Sequence, residues 1–112
     1  MKSLFGFITA SLPALFAAHV FSQNINTPDN FPDPNFRRVI EEFMGVPPGG
    51  EFTAADAAAQ TGTLQCSSRS ISNMAGLQYF TGLTSLCCVF NQLTSLDISR
   101  NTALAFLNCS GN

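Results

Sequence analysis

The chain has 112 residues, with five Lys and Arg against seven Asp and Glu; 46% of residues are hydrophobic and only 11% charged. Its sole lysine is Lys2 and its sole histidine His19, so the part beyond residue 22 carries four arginines against seven carboxylates, a net of −3. That balance lacks the clustered cations a nucleic-acid backbone demands, and it offers no histidine as general base, nucleophile partner or metal ligand.

In chain order, residues 1–22 read as a cleavable export signal. Lys2 gives the positive start, Leu4 to Phe21 is mostly apolar, and Val20-Phe21-Ser22 fits a cut before Gln23. Pro13 and His19 interrupt a run that is already near the minimum for a membrane span. Residues 23–62 then form a polar lead-in and a helical segment. Asp33-Pro34 is a helix start, with Asp as N-cap and Pro at the first helical position. Phe36, Val39, Ile40 and Phe43 make one apolar stripe. Arg37, Arg38, Glu41 and Glu42 occupy the opposite face as i,i+4 pairs. Gly45 ends this helix, Pro47-Pro48-Gly49-Gly50 is a loop, and Thr53-Ala54-Ala55-Asp56 opens a second, Ala-rich helix with a capping box.

From residue 63 to residue 112 the pattern is repetitive. Leu64 and Leu86 are 22 residues apart, as are Cys66 and Cys88; Leu86 to Leu107, Cys88 to Cys109 and Asn91 to Asn112 are 21 each. A period this short means stacked units that bury their apolar faces only against neighbours. Leu-x-Cys is a strand whose alternate residues point inward. Between the first two strands Ile71, Met74, Leu77, Phe80, Leu83 and Leu86 recur every third residue, which suits a tight segment of 3₁₀ character. Leu93 to Asn101 echoes Leu83 to Asn91 ten residues earlier, a nested repeat whose return limb is expected to be strand-like.

The pattern Leu-x-x-Leu-x-(Leu or Cys)-x-x-Asn-x-Leu resembles a leucine-rich repeat. With a helical segment in front, the chain from Phe31 to Asn112 looks like the secreted, internalin-like leucine-rich-repeat proteins of bacteria. The resemblance implies an α/β solenoid: a helical N-terminal cap, then a short stack of parallel strands whose concave face presents side chains to a ligand. Relatives often carry an EF-hand-like loop between the two cap helices. Here Glu51 and Asp56 are too few oxygens for calcium, so Asp56 is expected to act as a helix cap, with no metal and no cofactor.

Strand alternation gives the candidate binding residues: Gln65, Ser67, Ser85, Cys87, Val89, Phe106, Asn108 and Ser110, with Phe106 as the anchor. Cys66, Cys88 and Cys109 are expected to stack inward as a structural ladder; Asn91 and Asn112 should satisfy backbone groups at the turns leaving the strands. Arg69 replaces asparagine in the first unit. Cys87 points away from the core, without a base to activate it. No catalytic residue is identified. The expected function is an exported interaction module for a protein or glycan at or outside the cell surface. The alternatives are a non-binding spacer of a larger surface protein and a fragment without independent function. Asn112 falls inside a repeat, so the last strand is expected to be truncated and uncapped, with self-association possible along its open edge.

Overall fold

The computed structural model describes residues 22–112. The expected export segment therefore lies outside the described residues, apart from Ser22. No helix among the described residues is long and apolar enough to cross a membrane.

Helix α1 runs Pro34–Met44. One oxygen of Asp33 accepts from Asn35 N at 2.9 Å and Phe36 N at 3.4 Å, and Pro34 fills a first-turn position with no orphan N–H to satisfy. Gly45 closes the helix with a left-handed φ of 73°. Phe36, Val39 and Ile40 are buried as the stripe requires. The opposite face is less simply polar than the sequence implied, because Glu41 is buried too. Its Oε2 accepts from Asn26 Nδ2 at 2.9 Å and Gly49 N at 2.7 Å. Arg37 and Arg38 each approach the carboxylate to 3.7 Å. The segments before and after the helix fold over this carboxylate, and helical periodicity alone cannot show that.

Helix α2 is one short piece, Ala54–Ala58. Its capping box is complete: Thr53 Oγ1 accepts from Asp56 N at 3.1 Å, and Asp56 Oδ2 accepts from Thr53 N at 3.0 Å.

Three parallel strands follow, in the order β1 (Gly62–Gln65), β2 (Leu83–Cys87), β3 (Phe106–Asn108). Leu64 pairs with Leu86 and Leu86 with Leu107, so side chains 22 and 21 residues apart sit side by side. A bulge between Gly62 and Thr63 lets Leu83 and Leu86 both face inward although they are three apart. The ladder continues past the strands through Cys66 N to Cys87 O and Cys88 N to Asn108 O, both 2.9 Å.

Between β1 and β2, a 3₁₀ turn occupies Leu77–Tyr79, and Ile71, Met74, Leu77 and Phe80 all point into the core. The return limb from residue 93 to 104 differs from expectation: it is a series of turns, with no strand. Its amides bond locally, Asn101 N to Ile98 O at 3.0 Å and Leu104 N to Asn101 O at 3.1 Å, which leaves no ladder to extend.

One core joins the helices to the repeats. Phe31 sits at the junction, its ring centroid 6.2 Å from Phe36, 5.9 Å from Phe52, 6.1 Å from Tyr79 and 6.5 Å from Phe80. Each such side chain, fully buried, contributes on the order of 2 kcal/mol before entropy is counted. A second tie is polar. The other oxygen of Asp33 accepts from Ser72 N at 2.8 Å and Asn73 N at 3.0 Å, so one carboxylate caps α1 and holds the first repeat's loop.

Candidate functional site

Parallel pairing brings the outward strand positions onto one face. Gln65 lies beside Cys87 and Cys87 beside Asn108, while Ser85 lies beside Phe106. One step further along, Ser68 N bonds Val89 O and Phe90 N bonds Ser110 O, which aligns Ser67, Val89 and Ser110. The eight residues named from alternation thus share a surface, and none of them is charged.

The surface has internal order. On the first row Ser67 Oγ donates to Gln65 Oε1 at 2.6 Å, and on the third Ser110 Oγ donates to Asn108 Oδ1 at 2.6 Å. The middle row puts Cys87 and Val89 at those positions, so two internally hydrogen-bonded polar rows flank an apolar one. Phe106 is 54% exposed. Phe90, at the turn leaving β2, is 67% exposed and was not among the expected site residues. Its φ of 56° matches that of Ser68 in the unit before, and Gly111 follows in the unit after at 74°. A bulky residue in the left-handed region is uncommon and strained by on the order of 1 kcal/mol or more. The available sequence signal was this alignment of Phe90 with Ser68 and Gly111.

Beneath the face, Cys66 and Cys88 are completely buried neighbours. Burial pushes the Cys66 thiol up to about 12 and the Cys88 thiol up to about 11, so both are protonated, unreactive core groups at neutral pH. Cys66 Sγ donates to Cys87 O at 3.3 Å. Cys109 continues the register but is exposed, as is Leu107 at 37%, because β3 has a strand on one side only. All four cysteines are free thiols. Cys87 is half-buried on the outward face.

Asn91 is buried at the turn after β2. Its Nδ2 donates to Cys66 O at 2.9 Å and Cys88 O at 3.1 Å, and its Oδ1 accepts from Arg69 N at 2.9 Å and Ile71 N at 3.1 Å. Asn112 repeats this one unit on, donating to Cys88 O at 2.9 Å and Cys109 O at 2.8 Å and accepting from Leu93 N at 3.1 Å. Asn101, on the return limb, donates to Leu77 O and Phe80 O, both at 3.0 Å. Arg69 turns outward instead, its guanidinium meeting both Glu42 oxygens at 3.1 Å. That hydrogen-bonded pair holds the Glu42 carboxyl below its ordinary value.

The geometry offers a ligand hydrogen bonds and apolar contact. Among the described residues no cluster of three or more His, Cys, Asp or Glu could hold a metal.

No protein-family model matches the chain. Internalin J of Listeria monocytogenes serotype 4b (strain F2365) is 32% identical over 95 residues, 85% of this chain. A solved structure of the functional domain of InlJ from Listeria monocytogenes, described as including a cysteine ladder, superposes with a TM-score of 0.73 at 35% identity over 79% of this chain. The chain spans 10% of the first relative and 19% of the second. With its parallel strands, its 21- and 22-residue register and its stacked cysteines, the chain is an internalin-like bacterial leucine-rich-repeat protein.

Proposed function

We propose that the chain is the helix-capped start of an exported interaction module, and that its outward strand face binds a partner protein outside the cell. The observation that carries this reading is Phe106: a large aromatic held more than half exposed on an uncharged, strand-built surface. Fixed aromatic side chains supply contact area at small entropic cost, and they dominate interface energetics wherever a partner excludes water from them. Val89 and Cys87 extend the apolar middle of the patch, and the serine–amide pairs on either side supply a polar rim that is already hydrogen-bonded. Helices α1 and α2 cover the first strand's side of the core, the part a terminal cap plays in a solenoid. The low charge suits slow, contact-driven association with little electrostatic steering.

The test is comparative capture. Immobilised chain is exposed to extracellular and surface proteins, alongside Phe106→Ser, Val89→Asp and, as a control on the other limb, Thr102→Ala. A bound species retained by wild type and Thr102→Ala but lost from both strand-face variants supports the reading. Equal retention by all four refutes it. A complete lack of capture favours the second reading, a spacer, for which the serine hydroxyls already committed within the Gln65–Ser67 and Asn108–Ser110 pairs are the supporting observation.

A further inference from the structure

Away from the strand face, the first and second repeats leave a groove of about 590 Å³ between their return limbs, lined on one side by Asn73, Gln78 and Tyr79 and on the other by Asp97 and Arg100. A smaller depression of about 390 Å³, which includes Asn24, adjoins it and shares Tyr79 as a lining residue.

The carboxamides here have a common feature. Asn73 Oδ1 accepts from Ala75 N at 2.8 Å, Gln78 Oε1 from Gly76 N at 2.8 Å, and Asn24 Oδ1 from Asn26 N at 3.0 Å and Phe52 N at 3.2 Å. Each oxygen is thus held to backbone, which restrains the amide and leaves its NH₂ uncommitted among the described residues. Across the groove, Asp97 Oδ1 accepts from Ser99 N at 2.9 Å, and the Ser99 hydroxyl also bonds this carboxylate, which lines the groove as an acceptor. The Ser99 hydrogen bonds and the Arg100 charge hold that carboxyl below its ordinary value, so it stays ionised. Tyr79 is immobilised as well: its hydroxyl donates to Asn30 Oδ1 at 3.1 Å, and its ring leans on Phe31.

We propose that this groove is a second binding site, distinct from the strand face, for a neutral saccharide chain lying across Tyr79. Planar donors and a planar acceptor, all restrained before binding, suit vicinal hydroxyls or an acetamido group, each of which both donates and accepts. The Tyr79 ring supplies an aromatic face for the apolar side of a sugar ring. An anionic ligand meets the Asp97 carboxylate, and a cationic one meets the Arg100 guanidinium. A hydroxylated neutral chain meets neither penalty, and the pair of adjoining depressions has room for more than one ring.

The backbone hydrogen bonds permit a clean test. Asn73→Asp and Gln78→Glu retain the oxygens that accept from Ala75 N and Gly76 N but delete the outward donors; Asp97→Asn retains an acceptor for Ser99 N and replaces the charged carboxylate with a neutral amide. Two probes serve: β-1,4-linked tetramers of glucose and of N-acetylglucosamine, followed by ¹⁵N chemical shifts of the side-chain amides. At least one tetramer should move the Asn73 and Gln78 NH₂ signals. The Asn73→Asp/Gln78→Glu double variant and Asp97→Asn should each weaken binding about tenfold or more, with unfolding midpoints unchanged, while Phe106→Ser binds as wild type does. The proposal is overturned if neither tetramer moves these signals up to about 10 mM. It is overturned equally if the donor-deleting variants bind unchanged, or if the shifts fall on the strand face and vanish in Phe106→Ser. Because the capture assay reads Phe106 and this one does not, the two readings fail independently.

Discussion

Replacing Asn91 by Ala should cost about 3 kcal/mol of folding free energy. The figure follows from which backbone groups lose their partners. Asn91 serves Arg69 N, Ile71 N, Cys66 O and Cys88 O. Cys88 O keeps a second donor in Asn112 Nδ2 at 2.9 Å, so it is not orphaned. Arg69 lies at the half-exposed rim, where water can replace the lost acceptor. Ile71 N and Cys66 O remain, both on completely buried residues, and an unsatisfied buried polar group costs about 1–3 kcal/mol. Two such groups plus one rim hydrogen bond give about 3 kcal/mol, against a total stability of about 5–13 kcal/mol for a folded part of this size. Equilibrium urea unfolding followed by circular dichroism reads the loss as a midpoint lowered by about 1–2 M. Asn112→Ala, whose partners lie at the exposed end, should cost about 1 kcal/mol. Equal, small losses for the two variants would refute the ladder argument, because they would mean that water reaches both turns alike.

Three further outcomes follow from the same structure. Gly76→Ala should be severely destabilising, by about 3 kcal/mol or more: a Cβ there falls 2.2 Å from the Phe31 ring, and the φ of 110° is foreign to alanine. A thermal midpoint within a few degrees of wild type would contradict that close approach. Acid should loosen the junction between helices and repeats. Burial works against ionisation of Asp33, but backbone N–H groups of Ser72, Asn35, Asn73 and Phe36 outweigh it and hold the carboxyl below its ordinary 3.8. Burial likewise opposes ionisation of Glu41, and Asn26, Gly49, Arg37 and Arg38 bring it below 4.5. A depressed native value means that this stability is fully present above about pH 4.5 and disappears as pH falls through the native pKa. Urea midpoints measured from pH 7 to pH 3 should decline in wild type and decline less in Asp33→Asn; parallel curves would refute the assignment. Iodoacetamide at pH 8 should modify Cys109 and Cys87 in the native protein, while Cys66 and Cys88 react only after unfolding. Uniform protection or uniform labelling would break the register.

Much of this architecture is legible in the sequence because one period dictates it. Cys66, Cys88 and their leucines repeat at the spacing that parallel stacking requires, and Asp33-Pro34 and Thr53-x-x-Asp56 announce their helices through local hydrogen bonds. What escaped lies outside that period. Glu41 sits on the polar side of an amphipathic pattern, yet it is buried because Asn26 and Gly49, 15 and 8 residues away, fold over it. The return limb echoes a strand in sequence but bonds to itself in turns, since Asn101 and Leu104 find carbonyls three residues back before any neighbour is available. Phe90 was overlooked as a surface residue because its exposure comes from a positive φ, and no propensity argument places phenylalanine there.

The absence of asparagine at residue 69 has a physical reason that also explains how the helices belong to the stack. The ladder points backward: Asn91 satisfies amides and a carbonyl of the unit before it, and Asn112 does the same for the unit containing Cys88 and Leu93. An asparagine at 69 would face a preceding repeat, and α1 lies there instead. A helix satisfies its own backbone, so it presents no orphaned strand groups for a carboxamide to serve. What α1 does present is Glu42, and Arg69 meets it with a two-pronged pair that a short amide could not reach. The exchange of Asn for Arg at one register position is therefore the point at which the repeat's backbone ladder gives way to side-chain contacts with a helix. Arg69→Asn should accordingly leave the asparagine unpaired and loosen α1 locally, visible as faster amide exchange at Glu41 to Gly45 with the β2–β3 ladder unchanged. Unaltered exchange in α1 would show that Asp33 and Phe31 suffice to hold the helix on the stack.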